Sequence, residues 1–338
     1  MSVTVLGSGT WGTALTILLA NKGTDVILWS KIESEIRALE ADRKNIKNLP
    51  GAVLPDSVKL TTDLEYAAKS SNPEIIVFAV ASPYVRETAK IAAPFIKDGQ
   101  VIVNVAKGIE SGTLDTLSDI LNEEIPNADI AVLSGPSHAE EVSRLIPTTV
   151  VVAAKTRETA KLLQDAFMTQ TFRVYTSSDI IGVELGGSIK NVIALAAGMS
   201  DGLGFGDNTK AALMTRGIAE ISRLGVKMGA QIETLCGLSG IGDLFVTATS
   251  HHSRNWNAGY LIGQGKTAQE AMDEVKQVVE GVYCAKAANA LAKQYNVEMP
   301  IVEQVYAILF EGKAVKEAVT DLFMRERTDE HSAVAWTK

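Results

Sequence analysis

The stretch Val3-Thr4-Val5-Leu6-Gly7-Ser8-Gly9-Thr10-Trp11-Gly12 decides the fold of this chain. Four residues of strand character run straight into glycines at G-x-G-x-x-G spacing, and a helical run over 13–22 follows without a break. In that order Gly7 allows a tight turn, Gly9 lets the backbone approach a phosphate, and Gly12 lets helix and strand pack closely. The helix N-terminus then turns its unpaired N–H groups toward an anion. Glycines at this spacing mean little alone. The strand before them and the helix after them make the stretch a dinucleotide pyrophosphate loop rather than an ordinary turn.

Working outward, apolar runs bounded by turn residues recur at 26–29, 75–80, 101–103 and 130–133, with helix-like stretches between most of them. Alternating strands and helices predict a parallel sheet covered on both faces. Two further runs, 149–153 and 172–175, flank a helical segment at 157–167 and extend that sheet. After about Ser178 the strand signal stops. Helices are predicted over 179–200, 208–228, 267–275, 282–295, 301–310 and 314–324, with Pro300 at a helix start. The chain therefore divides near Thr176-Ser177-Ser178, into a dinucleotide-binding sheet domain (1–178) and an all-helical domain (179–338).

With 338 residues, 46% of them hydrophobic, the chain has ample core for two domains. A formal net charge of −8 argues against a nucleic-acid partner, and an anionic substrate would have to be caught by local cations against the overall field. Cys236 and Cys284 show neither CxxC spacing nor a disulfide framework, which points to a reducing cytoplasm. No secretory signal is visible before the first strand. The apolar stretch 185–200 is shorter than the ~20 residues of a spanning helix and carries Lys190, so a buried helix is expected and no integral membrane segment.

The second strand ends Trp29-Ser30-Lys31. Proteins that prefer NAD usually place Asp or Glu there, where it accepts from the adenosine ribose and repels a 2′-phosphate. A hydroxyl and a cation instead favour NADPH, while the nearby Glu33 keeps NADH admissible. The plain alternative makes Lys31 a solvated surface charge. In the second half Lys190 stands out, because its neighbours from Leu185 to Ser200 are small or apolar except for Asn191. A buried lysine is rare unless paired or functional, and burial or a cationic neighbour lowers its pKa from about 10.4 toward proton exchange. A lysine snorkelling at a domain edge is the plain alternative.

Asn104-Val105-Ala106-Lys107-Gly108 follows a buried strand, at the edge where open parallel sheets bind ligands. Ser134-Gly135-Pro136-Ser137-His138-Ala139 follows another and offers close backbone approach and a hydroxyl. Downstream, Gly240-Ile241-Gly242-Asp243 leads to Thr247 and on to Ser253-Arg254-Asn255, read as a loop whose cation and hydrogen-bond donors suit a phosphate. Adjacent His251 and His252 lack the spacing of paired metal ligands and have no companion cysteine or carboxylate cluster, so no metal is expected. Neither a nucleophile elbow nor a P-loop occurs, which leaves hydrolase and kinase readings unsupported.

Assembled, these elements resemble the NAD(P)-dependent glycerol-3-phosphate dehydrogenases of the bacterial type over essentially the whole chain. The resemblance rests on the Gly7 to Gly12 loop, Val105-Ala106-Lys107-Gly108, Ser134-Gly135-Pro136-Ser137-His138-Ala139-Glu140-Glu141-Val142, residues 184–191 and Ser253-Arg254-Asn255. It implies a Rossmann-type doubly wound α/β domain followed by an all-α domain like the C-terminal one of 6-phosphogluconate dehydrogenase. It also implies interconversion of sn-glycerol 3-phosphate and dihydroxyacetone phosphate, supply of the phospholipid backbone, and a homodimer. Lys190 would be the general acid/base. Lys107, Gly135, Ser137, Asp243, Ser253, Arg254 and Asn255 would contact substrate, with Asn191 and Thr247 beside them. Thr10, Trp11, Lys31, Lys107, Ala139, Arg254, Val279 and Glu280 match positions that contact the cofactor. Many members carry Phe where this chain has His138.

Reduction of a ketone needs hydride at carbon and a proton at oxygen, and a cationic lysine beside the carbonyl serves the second need. Two other readings compete. A related hydroxyacid dehydrogenase would typically carry Asn four residues beyond the lysine, where this chain has Ala194. A silent NADPH-binding sensor would leave the pocket lysines idle.

Overall fold

The computed structural model describes residues 1–327, 329 and 330; the remainder of the expected helical half lies outside them. Eight strands form one sheet: β1 (Ser2–Leu6), β2 (Asp25–Trp29), β3 (Lys59–Thr61), β4 (Ile75–Phe78), β5 (Val101–Asn104), β6 (Asp129–Ser134), β7 (Thr148–Ala154) and β8 (Phe172–Ser177). Their order is β3-β2-β1-β4-β5-β6-β7-β8. The chain winds outward from β1 to β3, then returns to the other side of β1. The crevice beyond the carboxyl ends of β1 and β4 is therefore the switch point where such sheets bind ligands.

Six helices accompany the sheet: α1 (Thr10–Asn21), α2 (Glu33–Asp42), α3 (Val85–Ala92), α4 (Leu117–Glu124), α5 (Ala139–Val142) and α6 (Arg157–Phe167). Successive strand residues point to opposite faces. Val5, Val77 and Val103 meet Leu15 and Leu18 of α1 and Phe167 of α6 on one side, while Leu6, Ile76 and Phe78 meet Val85 of α3 and Ile120 of α4 on the other. Burying both faces explains why these strands read as unbroken apolar runs.

Two features of the sheet depart from the sequence expectation. β3, only Lys-Leu-Thr, carries no apolar run and passed unseen. β7 runs antiparallel to β6, so the sheet is mixed rather than wholly parallel. The β6–β7 connection, residues 135–147, holds only the four-residue α5, too short to pack across the sheet as the helix of a parallel crossover does.

The helical half comprises α7 (Ile180–Gly202), α8 (Asp207–Lys227), α9 (Ile232–Leu235), α10 (Asp243–Thr249), α11 (Arg254–Gly263), α12 (Ala268–Val275), α13 (Glu280–Gln294), α14 (Pro300–Phe310) and α15 (Val315–Phe323). α7 is its axis. Asp179 caps it, accepting from Gly182 N at 2.9 Å, and α8, α10, α11, α13 and α14 pack around it. By length and composition α7 could cross a membrane, yet its most apolar window is 83% buried within the protein, which makes it a core helix. Glu184, near its start, accepts from Ser118 N (2.9 Å) and Ser118 Oγ (2.5 Å), tying α7 to the start of α4 beside the sheet.

The stretch 240–255 is not the loop the sequence suggested. A π-helical turn, Leu238–Gly242, runs into α10, and α11 begins at Arg254. Gly, Thr and Ser are poor helix formers, so tertiary packing overrides a weak local preference. The contact that does so is a helix crossing without side chains. A Cβ on Gly198 of α7 would lie 2.1 Å from the Trp256 carbonyl oxygen, and one on Gly259 of α11 would lie 2.0 Å from that of Leu195. Backbone meets backbone there, which holds the start of α11 against the middle of α7.

Candidate active site

A cleft of about 600 Å³ opens between the two halves. Its sheet-side wall begins at the glycine loop. Gly7 has φ +119°, and a Cβ on it would stand 2.8 Å from the Ala79 backbone after β4. Gly12 approaches the loop so closely that a Cβ would lie 2.0 Å from the Gly7 carbonyl oxygen. Gly9, by contrast, would project a Cβ into open space. No side chain caps α1, so its first-turn N–H groups remain open. Trp11 Nε1 is buried without a partner among the described residues. A bare helix N-terminus, an open glycine cradle and an unsatisfied donor fit a dinucleotide pyrophosphate.

The opposite wall carries the ionisable groups. Lys190, in mid-α7, is 4% exposed; its Nζ donates to Thr247 Oγ1 at 2.5 Å and to Asp243 Oδ1 at 3.0 Å, both from α10. Lys107, from the loop after β5, crosses the cleft to donate to Asp243 Oδ2 at 2.5 Å and to the Gly135 carbonyl at 3.1 Å. One carboxylate thus bridges two lysines. Burial, reinforced by the positive charges of Lys107 and Arg254 and opposed by Asp243, brings the Lys190 ammonium down to about 8. Burial would raise the Asp243 carboxyl, but the two lysines outweigh it and hold it below its usual range.

Asn191, next to Lys190, accepts from Asn255 Nδ2 at 2.9 Å, and Asn255 Oδ1 accepts from Gly281 N at 2.8 Å, linking α7, α11 and α13. Ser253 caps α11, accepting from Trp256 N at 3.1 Å. Ser253, Arg254 and Asn255 all line the cleft at that helix N-terminus. Glu280, at the start of α13, accepts from Ser82 Oγ at 2.5 Å and closes the cleft toward the sheet; burial raises its carboxyl, against the pull of those Ser82 bonds.

Thr10, Trp11, Lys107, Ser137, Ala139, Lys190, Asn191, Asp243, Thr247, Arg254 and Glu280 share this cleft, although they come from both ends of the chain. Gly135, with φ +139°, holds Lys107 through its carbonyl. Val279 is 1% exposed and packs in the helical core, so its side chain is not at the cleft. Lys31 points elsewhere, pairing with Glu87 at 2.6 Å where both are more than half exposed. Ser30 is 4% exposed and donates to Glu35 at 3.1 Å. His251 packs edge-on against Trp256 at 4.7 Å, and His252 lies 5.9 Å from His138 between ring centres. Among the described residues no group of His, Cys, Asp or Glu has metal-holding geometry.

Sequence reasoning passed over Ser82, which binds Glu280, and His138, which lines the cleft, as site residues. Burial lowers the His138 imidazole, with the Val246 carbonyl 3.4 Å from Nε2 opposing that shift. Its place after Ser137 in a post-strand turn was the available signal.

Residues 2–160 match the N-terminal and residues 179–320 the C-terminal description of NAD-dependent glycerol-3-phosphate dehydrogenase. A glycerol-3-phosphate dehydrogenase (NAD(P)+) of Agathobacter rectalis is 60% identical over 99% of both chains. One of Fusobacterium nucleatum is 54% identical over 97% of this chain and 98% of its own. The crystal structure of glycerol-3-phosphate dehydrogenase from Coxiella burnetii superposes with a TM-score of 0.92 at 38% identity, covering 96% of this chain and 99% of that one. With this cleft between a Rossmann sheet and a helical half, the chain belongs to the NAD-dependent glycerol-3-phosphate dehydrogenase family and is an NAD(P)-dependent oxidoreductase.

Proposed function

We propose that this enzyme interconverts dihydroxyacetone phosphate and sn-glycerol 3-phosphate with Lys190 as general acid/base, supplying the backbone of glycerophospholipids. The observation that carries this reading is the buried Lys190 ammonium, fixed by Asp243 and Thr247 in one cleft with the glycine loop. The nicotinamide cofactor, NADPH or NADH, supplies the hydride. Protonated Lys190 polarises the ketone and gives its proton to the oxygen; neutral Lys190 takes the alcohol proton in reverse. A value near 8 keeps both forms within reach of neutral pH. Asp243 holds Lys190 in place and shares its charge with Lys107.

Arg254 and the N–H groups opening α11 suit the substrate phosphate, since a guanidinium fork and a helix N-terminus both favour an anion. Holding the phosphate far from the reacting carbon orients the ketone. Gly135 and Ser137 complete the substrate wall beside Lys107. Asn255, tied to Asn191 and Gly281, positions that grip rather than adding a free amide. The units 1–178 and 179–338, a homodimer, and a reducing cytoplasm, suggested by two unpaired cysteines, complete the reading.

The test is loss of reduced-cofactor near-UV absorbance on adding dihydroxyacetone phosphate. Absence of turnover by an enzyme that binds the cofactor would leave a binding protein and end the proposal.

A further inference from the structure

The end of β2 carries no acidic residue, yet a carboxylate reaches the same place from α2. Glu35 Oε2 accepts from Ser8 Oγ, inside the glycine loop, at 2.6 Å, and from Ser30 Oγ, directly after β2, at 3.1 Å. Both hydroxyls are buried, and the Glu35 side chain is 18% exposed. Two donors on one oxygen fix the carboxylate and leave Oε1 free of them. In a Rossmann sheet the adenosine ribose lies between the glycine loop and the end of the second strand, where an acid accepts from the 2′-hydroxyl. Ser8 and Ser30 mark those two edges.

We propose that Glu35 is a specificity-determining residue that accepts from the adenosine ribose and discriminates against a 2′-phosphate, weighting this enzyme toward NADH. The inference rests on the Gly7 to Gly12 loop being the cofactor seat. It replaces the part that Ser30 and Lys31 play in the sequence reading: the Ser30 hydroxyl is committed to Glu35, and the Lys31 ammonium to Glu87. The one cation at Glu35 among the described residues is Lys47, 3.6 Å from Oε1 and 76% exposed. A solvated, flexible ammonium at that distance offsets little of a fixed, largely buried carboxylate.

The experiment is a binding titration without substrate, following the fluorescence of NADH and of NADPH on the wild-type enzyme, Glu35→Gln, Lys31→Ala and Gly9→Val. Gln keeps an oxygen for the two serines and removes the charge. Glu35→Gln is expected to lower the ratio of the NADPH Kd to the NADH Kd about tenfold, as a close like charge disappears. A fall of less than about threefold, or a rise, overturns the proposal. Lys31→Ala weakening NADPH about tenfold beside a flat Glu35→Gln would return the 2′-phosphate to Lys31. Gly9→Val checks the seat separately, since its side chain enters open space without disturbing the fold. Loss of both cofactors there with a flat Glu35→Gln ends only the role of Glu35. Unchanged binding of both by Gly9→Val would place the dinucleotide elsewhere and end both.

Discussion

On the sheet side of the cleft the glycine loop presents backbone: open N–H groups at the start of α1 and the bare Cα of Gly9. On the helical side the cavity meets four ionisable side chains, Lys190, Asp243, Arg254 and Glu280, of which Lys190 and Asp243 are almost wholly removed from water and Arg254 and Glu280 half-buried. The first wall is shaped by how closely Gly7 and Gly12 let the chain approach itself. The second is shaped by charges that must be paired because they are buried. A backbone wall should therefore fail through added volume whatever the charge, and a charged wall through altered charge even at constant volume.

The sharpest test of that contrast is Lys190→Met. Met fills similar space, and Asp243 keeps Lys107 as its partner, so the fold should persist while turnover falls ~1,000-fold as acid catalysis and electrostatic stabilisation go together. Steady-state rates beside a melting curve decide it; a folded variant with near-normal turnover would break the comparison.

Next in size is Arg254→Ala, which should lower kcat/KM for dihydroxyacetone phosphate by about 2 to 4 kcal/mol in transition-state terms, with Arg254→Lys intermediate. Unphosphorylated dihydroxyacetone should scarcely notice either change. Equal proportional losses for the two ketones would assign Arg254 to the fold or the cofactor instead.

The loop wall is probed by Gly12→Ala, whose new methyl would collide with the Gly7 carbonyl. A stability loss of about 1 to 3 kcal/mol in urea unfolding is expected from overpacking. The pH dependence of the surviving activity should not move, since no charge has changed.

The smallest effect concerns the titration of Lys190. With its ammonium brought to about 8, kcat/KM for ketone reduction should be level below that pH and fall as pH rises through it, while alcohol oxidation rises through the same point. Thr247→Val removes an acceptor that favours the charged form and should shift the inflection to lower pH by less than about one unit. A shift to higher pH would mean that Thr247 serves the neutral amine.

Much of the fold was legible because its signals are local. Ile75-Ile76-Val77-Phe78 declares a two-faced buried strand, and Lys190 in an apolar helix declares a buried charge. β3 was missed because a three-residue edge strand has no pattern to read. The direction of β7 was missed because it follows from the short connection before it, not from the strand's composition. α10 and α11 were read as a loop because Gly, Ser and Thr hide a helix that packing against α7 enforces. Glu35 lay in plain sight on a charged surface helix; the hydroxyls that make it notable are at Ser8 and Ser30.

By itself the sequence determined the strand, glycine turn and helix of the loop, the alternation that makes a covered sheet, and the burial of Lys190. Each depends on residues a few positions apart, where periodicity and backbone sterics act directly. Only the tertiary structure decided that Asp243 stands between Lys107, 136 residues before it, and Lys190, 53 before it. It also decided that Ser30 and Lys31 are paired with carboxylates, those of Glu35 and Glu87. Which charges meet is set by how sheet and helices pack, and a pairing between distant positions leaves no trace in either local stretch.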